Sequence, residues 1–374
     1  MTMRVMVLGG YGNFGARIVR ALATDRAITL LVAGRDALAA TALATEINLL
    51  HQSGAEGVAV DARGSHFAQT LRAHRVELLI HTAGPFQGQD YMVARACAEA
   101  GIHYIDLADG RRFVCDFASA LQAPFVAAGR VAITGASTVP ALSSAVVDFL
   151  TLGWSHIHSI DICIAPAQTA PRGVATLEAV LSYCGVSIPV WRSGRWQDLA
   201  GWADLQRVQF VRLRSRLGAV CDIPDLELFP AHYQVQDCVE FRAALEVALS
   251  QRAFAVLAWL RQRGVLRHPA SLARLLNAGA KVFDPLGSAL GGMVVRVAGV
   301  NADGGSVQRA WHIAADNDHG PEIPCMAAVL LARRLAAGEA MAPGARACVG
   351  LHTLEDFAPE FAKWGMVTDV VEEG

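Results

Sequence analysis

A short apolar run, Arg4-Val5-Met6-Val7-Leu8, leads straight into Gly10-Tyr11-Gly12-Asn13-Phe14-Gly15. This junction limits the fold more than any other part of the chain. Three glycines at that spacing let the backbone turn tightly, approach a diphosphate closely, and pack the next helix on the strand. Each role needs the missing side chain. Ala16 to Leu22 reads as a helix with one apolar face, which makes the unit strand, turn, helix. A helix starting near Asn13 would aim free backbone N–H groups and the positive end of its dipole at phosphates. Gly10, Gly12, Asn13, Phe14 and Gly15 are therefore candidate dinucleotide-binding residues. A turn whose glycines serve structure alone is the other reading.

The pattern continues as a series. Ile28 to Ala33 is a second apolar strand and Ala37 to Leu50 an Ala- and Leu-rich helix. Gly57 to Val60, Val76 to His81, His103 to Leu107 and Val131 to Thr134 read as further strands, with helices around 67–74 and 91–100 between them. Gly101 is placed to stop the second of these helices. Apolar strands alternating with helices imply a doubly wound parallel sheet covered on both faces, an α/β Rossmann fold. After about residue 150 the rhythm breaks into α+β. Strand Ile157 to Ala165 and helix Gly173 to Cys184 come first, and Trp191 to Trp202 contains turns. Val208 to Val220 can pair as strands, and 243–263 and 271–283 look like amphipathic helices. Met293 to Val300 and Val307 to Ala315 flank Asn301-Ala302-Asp303-Gly304-Gly305, a hairpin signal. Helix returns at Pro324 to Ala337. The expected domains are 1–150, 151–320 and a segment 321–374 that packs back on the first.

The residue that selects the ribose should lie about 20 residues beyond the glycines, at the end of the second strand. Arg35 stands there, with Asp36 beside it. A guanidinium can pair with a 2′-phosphate, whereas a carboxylate would accept from a free 2′-OH and repel phosphate. Arg35 favours NADP over NAD. Asp36 also reads as the cap of the following helix. Asp61, ending the third strand, can meet the adenine edge or cap a helix. His81-Thr82-Ala83-Gly84-Pro85 ends the fourth strand, where open α/β sheets bind ligands, so Ala83, Gly84 and Pro85 join the cofactor candidates. A tight turn closed by proline is the plainer reading.

A chain of 374 residues with 53% hydrophobic residues is long enough for two cores. A mean hydropathy of +0.34 raises the question of a membrane span. Ala253 to Leu260 is too short, and Val139 to Trp154 carries Ser143, Ser144 and Asp148, so no transmembrane segment is expected. The start has no signal-peptide pattern, and a cytoplasmic location is expected. A net charge of -2 with scattered basic residues gives no field for nucleic acid. Eight cysteines without a C-x-x-C pattern read as buried thiols.

Reduction of a carbonyl, imine or enoyl group needs a placed cofactor and a proton donor. The Tyr-x-x-x-Lys dyad of short-chain dehydrogenases is absent, because the residues four before Lys281 and Lys363 are Asn277 and Pro359. His81, Tyr104 and Asp106 lie at strand ends facing the expected cleft. They are the catalytic candidates, each with a structural reading beside it. His156 and His158 lack further ligands, so no metal is expected. Asp316-Asn317-Asp318-His319 reads as a loop with a helix cap. Arg192, Arg195, Trp196 and Trp202 can hold an acidic or acyl substrate, or serve packing and surface.

Several of these stretches together resemble the saccharopine dehydrogenase-like oxidoreductases, and among them the bacterial branch related to trans-acting enoyl reductases. They are Gly9 to Gly15, Ala83-Gly84-Pro85-Phe86, Ala96 to Leu107, Ser143 to Asp148 and Gly320-Pro321-Glu322-Ile323-Pro324. The resemblance is strongest over 1–150 and about 290–355. It implies a Rossmann domain for NAD(P) and an inserted α/β domain that helps form the substrate cleft and often a homodimer contact. It also implies a carboxyl-terminal segment that returns to the first domain. Members often carry Gly-Glu after the Tyr-x-Asp-Leu strand, where this chain has Ala108-Asp109-Gly110. Two functions follow as expectations: an NADPH-dependent reductase of a small or acyl substrate, or a noncatalytic NADP-binding sensor or partner subunit.

Overall fold

A computed structural model describes residues 2–51, 53–171, 174–266 and 268–373. They form two compact units, Met1–Ala141 with Glu322–Val349, and Leu142–Pro321 with Gly350–Gly374. The first begins β1 (Met3–Leu8), α1 (Asn13–Leu22), β2 (Ile28–Gly34), α2 (Ala37–His51), β3 (Glu56–Ala59) and α3 (Phe67–Ala73). It continues β4 (Leu78–His81), α4 (Met92–Ala100), β5 (His103–Asp106), α5 (Arg111–Cys115), α6 (Phe117–Ala127) and β6 (Val131–Thr134). The second unit runs α7 (Ser143–Leu150), β7 (Trp154–Ala165), α8 (Val174–Ser182), β8 (Ser187–Arg192), β9 (Arg195–Ala200), β10 (Gln206–Val208) and β11 (Arg216–Val220). Next come α9 (Asp225–His232), β12 (Cys238–Ala243), α10 (Ala248–Gln262), α11 (Ala273–Ala280), β13 (Gly291–Asn301) and β14 (Ser306–Ala315). The chain then supplies α12 (Ile323–Ala336) and β15 (Gly344–Ala347) to the first unit, and α13 (Leu354–Lys363) and β16 (Val367–Glu372) to the second.

Seven parallel strands make the first sheet, in the order β15-β6-β5-β4-β1-β2-β3. Strand β1, inside the sheet, buries Val5, Met6 and Val7 completely, as a strand covered on both faces must. Helix α1 turns Gly15, Ile18, Val19 and Leu22 inward, and each large apolar side chain so buried stabilises by about 1.5–3 kcal/mol. Gly101, at φ +71°, ends α4 in the left-handed conformation its position called for. Helix α12 returns alongside α1 and in the same direction. The Cys325 thiol lies 3.6 Å from the Phe14 carbonyl at their first turns, and Arg333 donates to the Ala21 carbonyl at 3.2 Å near their ends. Glu322, just before α12, pairs with Arg17 of α1 at 3.2 Å.

The second sheet is mixed, in the order β10-β11-β12-β7-β13-β14-β16, with the β8–β9 hairpin attached through β12. Strand β7 runs parallel to β12 and antiparallel to β13. The β13–β14 hairpin turns where the sequence signals it. There the Asn301 side chain accepts from the Asp303 and Gly305 amides, and Gly304 takes φ +83°. Within the stretch 191–202 the β8–β9 hairpin turns at Ser193 and Gly194, both at positive φ, and β9 follows. Gly173, where the sequence reading began a helix, lies outside the described residues. Segment 321–374 divides between the two sheets, because β15 pairs with β6 while β16 pairs with β14. All eight cysteines are free thiols. Among the described residues no helix is long and apolar enough to cross a membrane.

Candidate cofactor site

The order of the first sheet reverses direction between β1 and β4, so the loops that follow these neighbouring strands diverge and leave a crevice at their carboxyl ends. The β1 loop is the glycine turn. A Cβ on Gly15 would stand 2.1 Å from the Gly9 carbonyl oxygen, and one on Gly10 would stand 2.7 Å from the Val7 carbonyl. Gly12 is the N-cap of α1 with extended backbone (φ -73°, ψ 174°), and no side chain caps that terminus. A helix start without a side-chain cap can take an anion on its backbone N–H groups.

The β4 loop lies against this turn. Thr82 donates its backbone N–H to Leu8 and its hydroxyl to the Leu8 and Gly9 carbonyls at 2.9 and 3.2 Å. Gly9 has φ +79°, and a Cβ there would meet Thr82 Oγ1 at 2.9 Å and Ala83 N at 3.1 Å. Ala83 and Gly84 are exposed, the Gly84–Pro85 peptide is cis, and Gln89 Nε2 donates to the Ala83 and Pro85 carbonyls at 3.0 and 2.6 Å. Sequence reasoning gave Thr82 and Gln89 no role; for Thr82 the signal was its place between a strand end and the Ala-Gly-Pro turn.

At the end of β2 the Tyr11 ring occupies the space a Gly34 side chain would fill, with a Cβ there only 2.4 Å from the ring, and the Tyr11 hydroxyl accepts from the Asp36 amide at 2.9 Å. This second role of the glycine turn was also not foreseen. Asp36 Oδ1 accepts from the Leu38 and Ala39 amides at 2.9 and 3.1 Å, so its carboxylate caps α2. Arg35 is exposed and has no hydrogen bond or ion pair with another described residue. Asp61, also exposed, accepts from Arg63 N at 3.0 Å and shapes a turn rather than capping a helix; the N-cap of α3 is His66.

His81, Tyr104 and Asp106 do come together, but inside the unit. His81 is 3% exposed and the other two have no exposure. His81 stands opposite Asp106 across the β4–β5 pair, and its Nδ1 meets the Tyr104 hydroxyl at 3.0 Å. Burial pushes the imidazole down to about 4, against a hydrogen bond to the Ala83 backbone that favours the charged ring, so His81 is neutral near pH 7. Burial also raises the Tyr104 phenol and pushes the Asp106 carboxyl up to about 6. Asp106 Oδ1 accepts from Ala108 N, Thr134 Oγ1 and Gly135 N at 2.8–2.9 Å, tying the ends of β5 and β6 together. The nearest exposed carboxyl beyond β5 is Asp109, which accepts from Gln87 Nε2 at 3.2 Å. Desolvation by the chain around it raises this group, an effect tempered by its exposure.

The remaining sequence candidates lie in the second unit. Arg192 pairs with Glu240 and Asp204, and Trp202 is 2% exposed and packs on Phe254 with ring centroids 4.5 Å apart. Trp196 stays at the surface, edge-on to Trp191. His156 lines an open polar cavity of about 320 Å³ with Trp154, Ser155, Tyr233, Gln234 and Gln236. The 316–319 loop caps no helix: Asp318 accepts from the Thr169 hydroxyl at 2.7 Å, and His319 Nδ1 lies 3.0 Å from the Trp364 carbonyl. Among the described residues no three His, Cys, Asp or Glu side chains gather as a metal ion would need.

Along its whole length the chain shares the fold of the apo, L-Glu-forming saccharopine dehydrogenase of Saccharomyces cerevisiae, at 12% identity, full coverage of both chains and TM-score 0.69. Two structures are more distant: an engineered D-amino acid dehydrogenase bound to NADP+ (15% identity, 96% of this chain and 99% of that one, TM-score 0.48) and the C. glutamicum DAP dehydrogenase in complex with DAP (13%, 96% and 99%, TM-score 0.46). No curated protein sequence matches the chain. Residues 5–133, which include both crevice loops, match the family model of the saccharopine dehydrogenase NADP binding domain.

Proposed function

We propose that this chain is an NADPH-dependent oxidoreductase that reduces a small imine, carbonyl or enoyl substrate. One observation carries the cofactor choice. Arg35 stands exposed beyond β2 with no partner among the described residues, while the neighbouring carboxylate that would repel a 2′-phosphate is engaged in capping α2. The uncapped start of α1, with Gly10, Gly12, Asn13, Phe14 and Gly15, would take the diphosphate, and Ala83, Gly84 and Pro85 would lie along the cofactor beside it. Asp61 would stand near the adenine.

The burial of His81, Tyr104 and Asp106 gives them a positioning role under the Ala83–Pro85 loop, and leaves Asp109 as an exposed acid beyond β5. The same burial favours a second reading, a noncatalytic NADP-binding sensor. Two measurements decide. Thermal shifts with NADPH, NADP, NADH and NAD should be largest for the phosphorylated pair, since a ligand that binds only the folded state raises its apparent stability. Steady NADPH oxidation with a member of an imine, ketone and enoyl panel supports the enzyme. Saturable binding with no turnover on any member supports the sensor.

A further inference from the structure

The near-neutral balance of the whole chain hides a local imbalance. From Val247 to Phe283 the sequence carries Arg252, Arg261, Arg263, Arg267, Arg274 and Lys281 and no acidic residue. The flanking acids are committed: Glu246 accepts from Ser288 and Gln168, and Asp284 accepts from Gln168 Nε2. The same stretch exposes large apolar side chains, Leu249 at 60%, Val256 at 54%, Trp259 at 50% and Val265 at 73%.

On α10 the two features form one line. Leu249, Arg252, Val256, Trp259 and Arg263 follow at steps of three and four, the spacing of a single helix face. All five are exposed, while Gln251, Phe254 and Ala258 face the interior. The Arg263 guanidinium sits 5.0 Å from the centre of the Trp259 ring, and Arg261 is turned inward onto the Ser182 and Cys184 carbonyls.

We propose that this face of α10 docks the chain on an anionic lipid surface. The helix would lie in the headgroup plane with Leu249, Val256 and Trp259 dipping toward the acyl chains and Arg252 and Arg263 among the lipid phosphates. At 15 residues α10 cannot span a bilayer, but an interfacial helix needs no such length. Tryptophan suits that depth, with an apolar ring and a polar N–H. A second copy is a poor occupant, because it would bring the same positive charges face to face. A nucleic acid backbone would use the arginines and leave the aliphatic side chains in water. A partner groove that took this helix face would bind it without any need for anionic lipid, and the vesicle test separates the two.

The test is cosedimentation of the full chain with vesicles of phosphatidylcholine, with and without phosphatidylglycerol, at low and high salt. Binding should require phosphatidylglycerol, weaken at high salt, and shift tryptophan emission to the blue. The double variant Arg252→Gln/Arg263→Gln should bind roughly 25-fold more weakly, from about fivefold per charge. Val256→Ser/Trp259→Ser should lose binding with its melting curve unchanged. All four positions are exposed, and the melting curve reports any loss of folding. No binding to anionic vesicles at low salt, or equal binding by the charge variant, would overturn the proposal. Binding to soluble polyglutamate or duplex DNA as tight as to vesicles would overturn it in favour of a soluble polyanion. A change of oligomeric state in either variant would assign the face to a second copy instead.

Discussion

Replacing Asp225 with asparagine removes a carboxyl that has no solvent exposure at the start of α9. Its Oδ2 accepts from the Ser143 hydroxyl at 2.5 Å, and its Oδ1 has no hydrogen bond among the described residues. One such bond is weak compensation for a dehydrated charge, so burial pushes the carboxyl from its ordinary 3.8 up to about 7. The folded state therefore holds this proton more tightly than the unfolded chain does. The stability it contributes is complete below about pH 4 and is lost as pH rises through 7. At about 1.4 kcal/mol per pH unit, the loss between pH 5 and pH 7 is about 2 kcal/mol, or roughly 4–8 °C in Tm for a unit of this size. Asp106 and Asp161, each pushed up to about 6 by burial, slope the same way. His81 and His103, each pushed down to about 4, slope the other way, because their unfolded forms bind the proton first. The quantity to follow is the difference between Asp225→Asn and the parent in urea unfolding from pH 5 to pH 8. That difference should move in favour of the variant by about 2 kcal/mol or more, whatever constant offset the amide introduces. A flat difference would show that Asp225 does not titrate in this range and would refute the burial argument. If the variant does not fold, Ser143→Ala should steepen the parent's own slope, since it removes the bond that favours the carboxylate.

Arg35→Asp should weaken NADPH binding by roughly 10- to 100-fold, the worth of a charge-assisted contact, while NADH binding changes little; equal losses in titration calorimetry would remove Arg35 as the selector. Gly15→Ala places a methyl 2.1 Å from the Gly9 carbonyl and should cost about 1–3 kcal/mol and abolish the thermal shift given by NADPH; retained affinity would count against the glycine turn as the diphosphate site. Tyr104→Phe removes the hydroxyl that meets His81 Nδ1 at 3.0 Å and should destabilise by about 1–3 kcal/mol with kcat nearly kept. A collapse of kcat at unchanged stability would give Tyr104 a direct part in the reaction.

The parallel sheet was legible because its strands are short continuous apolar runs and its helices follow at regular spacing. The β13–β14 hairpin was legible because Asn301 and Gly304 are turn residues with a local mechanism. What stayed hidden depends on distant pairing. Strands β15 and β16 are short, and only contact with β6 and β14 makes them strands. Segment 111–127 holds α5 and α6 with Pro124 inside the second, a residue that breaks the local helical signal. At the site, the tight glycine turn could be read because it follows from local backbone conformation. Tyr11 could not, because its contact with Gly34 and Asp36 joins two loops that are neighbours only in the sheet. The burial of His81, Tyr104 and Asp106 was likewise beyond reach, since residues at the carboxyl end of a strand can point into the crevice or beneath it.

The return of α12 and β15 to the first sheet has a consequence for biosynthesis. A ribosome must add residues 142–321 after β6 before it begins α12, which at about 5–20 residues per second takes roughly 10–40 s. Through that interval β6 is an open sheet edge and the flank of α1 later covered by α12 is bare. The nascent cofactor domain therefore waits, incomplete and adhesive, for its seventh strand, and a chain cut short before residue 322 would remain in that condition.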